Sequence, residues 1–173
     1  MPSKDYVILV NTKDEEIGKE EKLKAHLEGK LHRAFSIFII NNKGEMLLHQ
    51  RASNKYHSPD LWTNACCSHP APREKLEKAI PRRLQEELNI IAEGLKPLFS
   101  FTYKVTFGNG LTEHEYDHIW LGKYNKELKP NLLEVKDWGY FSIEEIRKGI
   151  SQFPDRYTFW FKELFERVVK KLD

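Results

Sequence analysis

The chain predicts a mixed α/β fold, and three observations predict it. Tyr6–Val10, Leu31–Ile40, Phe99–Phe107 and Leu111–Tyr124 are apolar or β-branched runs of strand length. Leu76, Ile80, Leu84 and Leu88 recur at helical spacing between them. Tyr157, Phe161, Leu164, Phe165, Val168 and Leu172 form one helical stripe near the end. With 173 residues the chain holds one domain with a real core and is too short for two comfortable ones.

In chain order, Tyr6-Val7-Ile8-Leu9-Val10 reads as a strand. The next twenty residues are charged and read as irregular, with one or two helical turns. Leu31 to Ile40 is a longer strand, Asn41-Asn42-Lys43-Gly44 a hairpin turn, and Glu45 to Gln50 the returning partner. Arg51 to Asp60 is a polar loop. The central helix covers Leu76 to Leu88, and Pro81 predicts that it begins close to Lys78 or bends there, because an interior proline costs roughly 3 kcal/mol. Phe99–Phe107 and Leu111–Tyr124 pair around Gly108-Asn109-Gly110. A further strand spans Trp138 to Phe141, and Ser142-Ile143-Glu144-Glu145 is a capping box that opens a short helix. The last helix follows Pro154.

Bulk properties exclude several classes. The net charge of +2 implies no nucleic-acid partner. No apolar run approaches a membrane span. Met1-Pro2-Ser3-Lys4-Asp5 lacks the apolar core of a signal peptide, and two adjacent cysteines make no disulfide framework. A reduced, cytoplasmic protein is expected. The sequence specifies no oligomeric state.

Chemistry concentrates in Trp62-Thr63-Asn64-Ala65-Cys66-Cys67-Ser68-His69-Pro70, followed by Glu86-Glu87. If this segment is extended, Cys67 and His69 share one face and Cys66 the other. A sulfur then stands beside a metal ligand; the alternative is that both cysteines are small buried hydrophobes. Glu113 and Glu115 share a strand face, with His114 opposite and His118 out of phase. Two such carboxylates repel unless a positive charge lies between them. With His26, His32 and His69 they make a mixed nitrogen/oxygen set, suited to a borderline divalent ion. The alternative places Glu113 and Glu115 exposed on an edge strand.

Ser68-x5-Glu74-x7-Arg82-Arg83-Leu84-Gln85-Glu86-Glu87-Leu88-Asn89-Ile90 resembles a degenerate Nudix box. The family pattern has Gly at Ser68, Glu at Arg83 and Gly at Asn89. Arg83 argues against ordinary pyrophosphate hydrolysis, since its charge repels a second metal and attracts phosphate. Beside the box stand His32-Arg33-Ala34-Phe35-Ser36, Arg51-Ala52, Leu61-Trp62-Thr63-Asn64, Cys67-x-His69-Pro70, Tyr103 and Glu113-x-Glu115. Together, from about Val7 to Trp160, these resemble the type I isopentenyl-diphosphate isomerases.

The resemblance implies a Nudix-type mixed sheet sandwiched by helices in a single domain, 1–173, with a core at about 31–150 and a terminal helix at about 155–172. It implies a Mn²⁺ or Zn²⁺ site of His26, His32, His69, Glu113 and Glu115, and a Mg²⁺ held through Glu87 against the substrate diphosphate. It implies proton transfer by Cys67, Glu115 and Tyr103. Lys22, Arg51, Lys55 and Arg83 match diphosphate contacts, and Trp160 a pocket tryptophan. The partner implied is a small homoallylic or allylic diphosphate. Chemically, an unactivated alkene is a poor base, so its protonation needs a positioned acid, a base and a dry pocket. The ring face of Trp160 or Trp62 suits the resulting cation. Two rivals remain at this stage: a Nudix hydrolase of a nucleoside diphosphate derivative, and a non-catalytic Nudix-like binding module.

Overall fold

The computed structural model describes residues 5–172; Met1 to Lys4, part of the stretch read for a leader, lie outside them. The strand β1 (Tyr6–Val10) pairs antiparallel with β2 (Glu16–Glu21), and α1 (Lys22–Glu28) follows. The charged stretch, expected to be irregular with one or two helical turns, holds the helical turns as α1 but also a hairpin strand, β2. β2 is partly exposed and held by β1, so its sequence carries no apolar alternation to betray it. Among the described residues no helix is long and apolar enough to cross a membrane.

The strand β3 (His32–Ile40) organises the sheet. It pairs parallel with β8 (Thr112–Lys123) from His32↔Glu115 to Ile40↔Lys123, and antiparallel with the short β6 (Cys66–Ser68) through Ser36↔Cys67. The expected β3 hairpin splays at once: β4 (Met46–Arg51) meets β3 only at Ile40↔Met46. It pairs instead with β9 (Val135–Phe141) and the two-residue β5 (Trp62–Thr63). Both edges of β3 are taken by β6 and β8, so the turn joins β3 to β4 without zipping them.

β7 (Glu93–Thr106) pairs with β8, placing Tyr103 opposite Glu115. It begins six residues before the expected Phe99, with register shifts that absorb Pro97. The helix α2 (Leu76–Leu88) starts two residues before Lys78 and contains Pro81. Pro81 and Glu77 are both exposed, so the helix carries the proline on its solvent face. The capping box at Ser142 and Glu145 opens α3 (Ile143–Gln152). Pro154–Arg156 is one 3-10 turn, and α4 (Phe159–Val169) begins only after it.

Helices cover both faces of the sheet. Ala79, Ile80, Leu84 and Leu88 of α2 pack on Phe35, Ile37, Ile39 and Cys66. Trp160, Phe161, Leu164, Phe165 and Val168 of α4 pack on Phe38, Met46, Ile119 and Leu121. β3 is buried on both faces, which is why its second half, Ile37 to Ile40, is continuously apolar. On the α4 side its row is polar at one end (His32, Ser36) and apolar at the other (Phe38). β8 does the same, running Glu113, Glu115, Asp117, Ile119, Leu121. The apolar ends are filled by α4; the polar ends are left for a site.

Candidate active site

At that polar end lies a cavity of about 460 Å³, lined by Cys67, Tyr103, Glu113, Glu115, His69 and Trp160. Lys22, Arg51, Lys55, Arg83 and Glu87 line it as well. His26 and His32 are fully buried beside it. Every site residue implied by the family resemblance is thus brought to one place. Trp62 is not: it packs edge-to-face on Phe141, with ring centroids 5.6 Å apart. Of the two candidate rings for a cation, Trp160 alone faces the cavity. Cys66 points into the α2-side core, as strand alternation requires.

His26, His32, His69, Glu113 and Glu115 each bring a donor atom within 4.8 Å of the others. His26 and His32 direct Nδ1 to the backbone carbonyls of Lys22 and Lys30, at 2.6 and 2.8 Å. Their Nε2 atoms are thereby aimed inward. His26 Nε2 lies 2.6 Å from Glu113 Oε1, His32 Nε2 3.2 Å from His69 Nε2, and His69 Nε2 3.1 Å from Glu115 Oε1. Burial holds His32 at a pKa of about 4 and pushes His69 well below its ordinary value, so both rings are neutral. Burial also pulls His26 down, but the hydrogen bond to Glu113, the charge of Glu113 and the backbone hydrogen bond to Lys22 together outweigh this and leave it raised. Glu113 Oε2 is buried without any partner. Two imidazole nitrogens in contact, two buried carboxylates and an orphaned oxygen fit a divalent cation.

The carboxylates titrate apart. Burial opposes ionisation of both. At Glu113, hydrogen bonds from Glu115, His26 and His57 win, and its pKa falls well below the usual range. Glu115 is pushed well above that range by burial and by the charge of Glu113. Tyr103 Oη donates to Glu115 Oε2 at 3.1 Å, and burial raises its pKa well above the ordinary value. Cys67 is raised to about 12 by burial and then by Asp117. Its sulfur lies 3.2 Å from Asn64 Oδ1 and 3.5 Å from Ser36 Oγ.

Cations gather on another wall. Arg51 donates to the carbonyls of Ser58 and His57, at 3.1 and 3.2 Å, and its guanidinium stands 5.4 Å over the Trp160 ring. Lys55 is paired with Glu134, a cavity residue that the sequence did not single out. Burial, then the charge of Lys55, lowers the pKa of Lys22. Arg83 pairs with Glu86 and Glu87 and donates from Nε to Ser68 Oγ at 2.9 Å.

The Nudix domain family model matches residues 30–161. Isopentenyl-diphosphate Delta-isomerase 1 of Aromatoleum aromaticum is 44% identical over 165 residues, covering 95% of this chain and 93% of that protein. Isopentenyl-diphosphate Delta-isomerase 2 of Photorhabdus laumondii is 46% identical over 160 residues, covering 92% and 90%. The chain belongs to the isopentenyl-diphosphate Delta-isomerase family of Nudix domains. A solved Deinococcus radiodurans protein superposes with a TM-score of 0.79 over 94% of this chain and 98% of its own, at 20% identity, a likeness of fold. The expected family and the expected mixed sheet between helices are both borne out.

Within this isomerase family the departures from the Nudix box acquire physical reasons. Asn89, where the box has Gly, caps α2 at φ 56°, a left-handed conformation that Gly adopts freely and Asn tolerates. Ser68 and Arg83 depart together and touch: the serine oxygen receives the arginine that replaces a carboxylate. Besides Glu134, the sequence reading gave no role to His57, Ser36, Asn64 or Asp117. His57 lies with Nε2 2.8 Å from Glu113 Oε1, stacked on Phe107. Ser36, Asn64 and Asp117 surround Cys67. Ser36 and Asn64 stood inside the family motifs, and Asp117 left a signal as the next step of the Glu113-x-Glu115 alternation.

Proposed function

We propose that the protein interconverts isopentenyl and dimethylallyl diphosphates, with Cys67, Glu115 and Tyr103 carrying the protons. The observation behind this reading is one cavity that Cys67 and the hydrogen-bonded Tyr103–Glu115 pair both line. One group adds a proton to the terminal alkene carbon and the other removes one from the carbon next to the oxygen-bearing carbon. The intermediate is a tertiary cation, and the roles exchange in the reverse direction. Burial favours the protonated forms of the Cys67 thiol and the Glu115 carboxyl, so each can act as an acid. The Trp160 face contributes roughly 1–2 kcal/mol to a desolvated cation, so positioning and proton transfer carry most of the acceleration.

A divalent ion on His26, His32, His69, Glu113 and Glu115, Mn²⁺ or Zn²⁺ by its mixed donors, supplies positive charge that favours ionised Glu115 and fixes its orientation. Lys22, Arg51, Lys55 and Arg83 bind the diphosphate, and Glu87 beside Arg83 is placed to hold a Mg²⁺ against it. The whole chain works as one domain, residues 31–150 with the terminal helix closing the site through Trp160. Two adjacent free thiols suit the reducing cytoplasm. Hydrolysis of a nucleoside diphosphate derivative is disfavoured, because Arg83 stands where the Nudix pattern has a carboxylate and its charge repels a second metal.

Incubation of purified protein with isopentenyl diphosphate in D₂O, with and without chelator and followed by metal analysis, tests the reading. Deuterated dimethylallyl product that disappears with chelator is expected. Release of phosphate without isomerisation would replace the isomerase by the hydrolase.

A further inference from the structure

The strand register places three buried polar side chains around Cys67. Ser36 of β3 stands opposite Cys67 of β6, and Ala34, two residues earlier, stands opposite Asp117 of β8. Asp117, Ser36 and Cys67 therefore lie on one sheet face. Ser36 Oγ donates to Asp117 Oδ2 at 2.7 Å, and the same oxygen lies 3.5 Å from Cys67 Sγ. Asn64 spends its amide hydrogens on the carbonyls of Ile37 and Cys66, at 3.1 Å each. Its orientation is thus fixed, with Oδ1 toward the sulfur. The one hydroxyl hydrogen of Ser36 is committed to Asp117, so lone pairs face the sulfur here too. The thiol is held between two acceptors, the hydrogen-bond partners it has among the described residues.

Asp117 is fully buried and its Oδ1 has no partner. A carboxyl placed in that way costs stability, and packing does not call for it. Without its acceptor, the Ser36 hydroxyl would be free to rotate and donate to Cys67, turning the thiol away from the substrate carbon with which it exchanges a proton. We infer that Asp117 is a positioning residue that acts through Ser36 to aim the Cys67 thiol at the substrate. The inference rests on the isomerase reading of Cys67.

Steady-state isomerisation is compared for the wild type, Ser36→Ala, Asp117→Leu, Asp117→Asn and the Ser36→Ala/Asp117→Leu double variant, with bound metal measured in each. Ser36→Ala and Asp117→Leu lower kcat by about ten- to a hundredfold at unchanged KM and metal content. Asp117→Asn, whose amide oxygen accepts from Ser36, restores most of kcat. The double variant is no worse than Ser36→Ala alone, because both changes break one chain of contacts. Wild-type kcat in Ser36→Ala, additive losses, or losses that follow metal content overturn the inference. Should Asp117→Leu not fold, Ser36→Ala decides by itself. An inactive wild type overturns the isomerase reading and the inference with it; an active wild type with an unimpaired Ser36→Ala overturns the inference alone.

Discussion

Tyr103 Oη donates to Glu115 Oε2 at 3.1 Å, from the position directly opposite it in the β7–β8 ladder. The hairpin register alone thus joins a phenol to the carboxyl that also belongs to the His/Glu cluster. Tyr103→Phe keeps the ring packing and removes the donor. We expect kcat to fall by about a hundredfold with KM nearly unchanged, the scale of a lost proton-transfer partner. A fall in KM-dependent terms only, in steady-state kinetics, would place Tyr103 in binding rather than proton transfer.

Cys67→Ala and Cys67→Ser remove the thiol from a site bounded by Ser36 and Asn64. Isomerisation should drop by at least about a thousandfold while circular dichroism and thermal midpoint stay near those of the wild type. Full turnover in either variant removes the central chemical assignment.

Arg83→Glu restores the carboxylate of the Nudix pattern but sets it against Glu86 and Glu87 and strips Ser68 of its partner. The KM for the diphosphate substrate should rise by about tenfold or more, and by less at high salt, because a charge-assisted contact is replaced by repulsion. An unchanged KM would show that Arg83 serves the helix rather than the anion.

His57 Nε2 lies 2.8 Å from Glu113 Oε1, from a loop whose carbonyls are held by Arg51. A partner that orients a ligand carboxylate is worth about ten- to a hundredfold in metal affinity. His57→Phe should weaken divalent-ion binding on that scale in chelator competition, whereas His57→Gln, which keeps a donor, should weaken it less. Equal affinities in all three proteins would reduce His57 to a packing residue.

Acid destabilisation has a defined sign. Burial lowers His32 to a pKa of about 4 and His49 to about 3, from 6.5. Below pH 6.5 the unfolded chain takes up protons that the native histidines refuse. Stability of the metal-free protein is therefore complete above 6.5 and declines as pH falls toward 4 and then 3. Each such histidine contributes a slope of about 1.4 kcal/mol per pH unit. Denaturant titrations from pH 7 to 4 in chelator should show the decline, and His49→Gln should flatten it. A pH-independent midpoint would contradict neutral burial.

Much of this protein was legible in its residues. The apolar run of β3, the capping box at Ser142 and the α2 stripe declared themselves because burial and capping impose local periodicities. Cys67-x-His69 and Glu113-x-Glu115 declared themselves because strand alternation fixes which side chains share a face. What hid was whatever depends on a neighbour distant in sequence. β2 is a strand only because β1 pairs with it. β4 leaves β3 because β8 and β6 occupy its edges. Arg83 and Ser68, fifteen positions apart, meet only once α2 lies across β6.

The sequence by itself determined the kinds of chemistry present: a thiol, a phenol, paired carboxylates, imidazoles and basic side chains. Tertiary structure alone decided that they surround one cavity, that Trp160 rather than Trp62 faces it, and that His57 meets Glu113 and Asp117 meets Ser36. The reason is that donor and acceptor commitments and burial are set by contacts between strands and helices, and no spacing along a chain encodes which lone pair or hydrogen is left over.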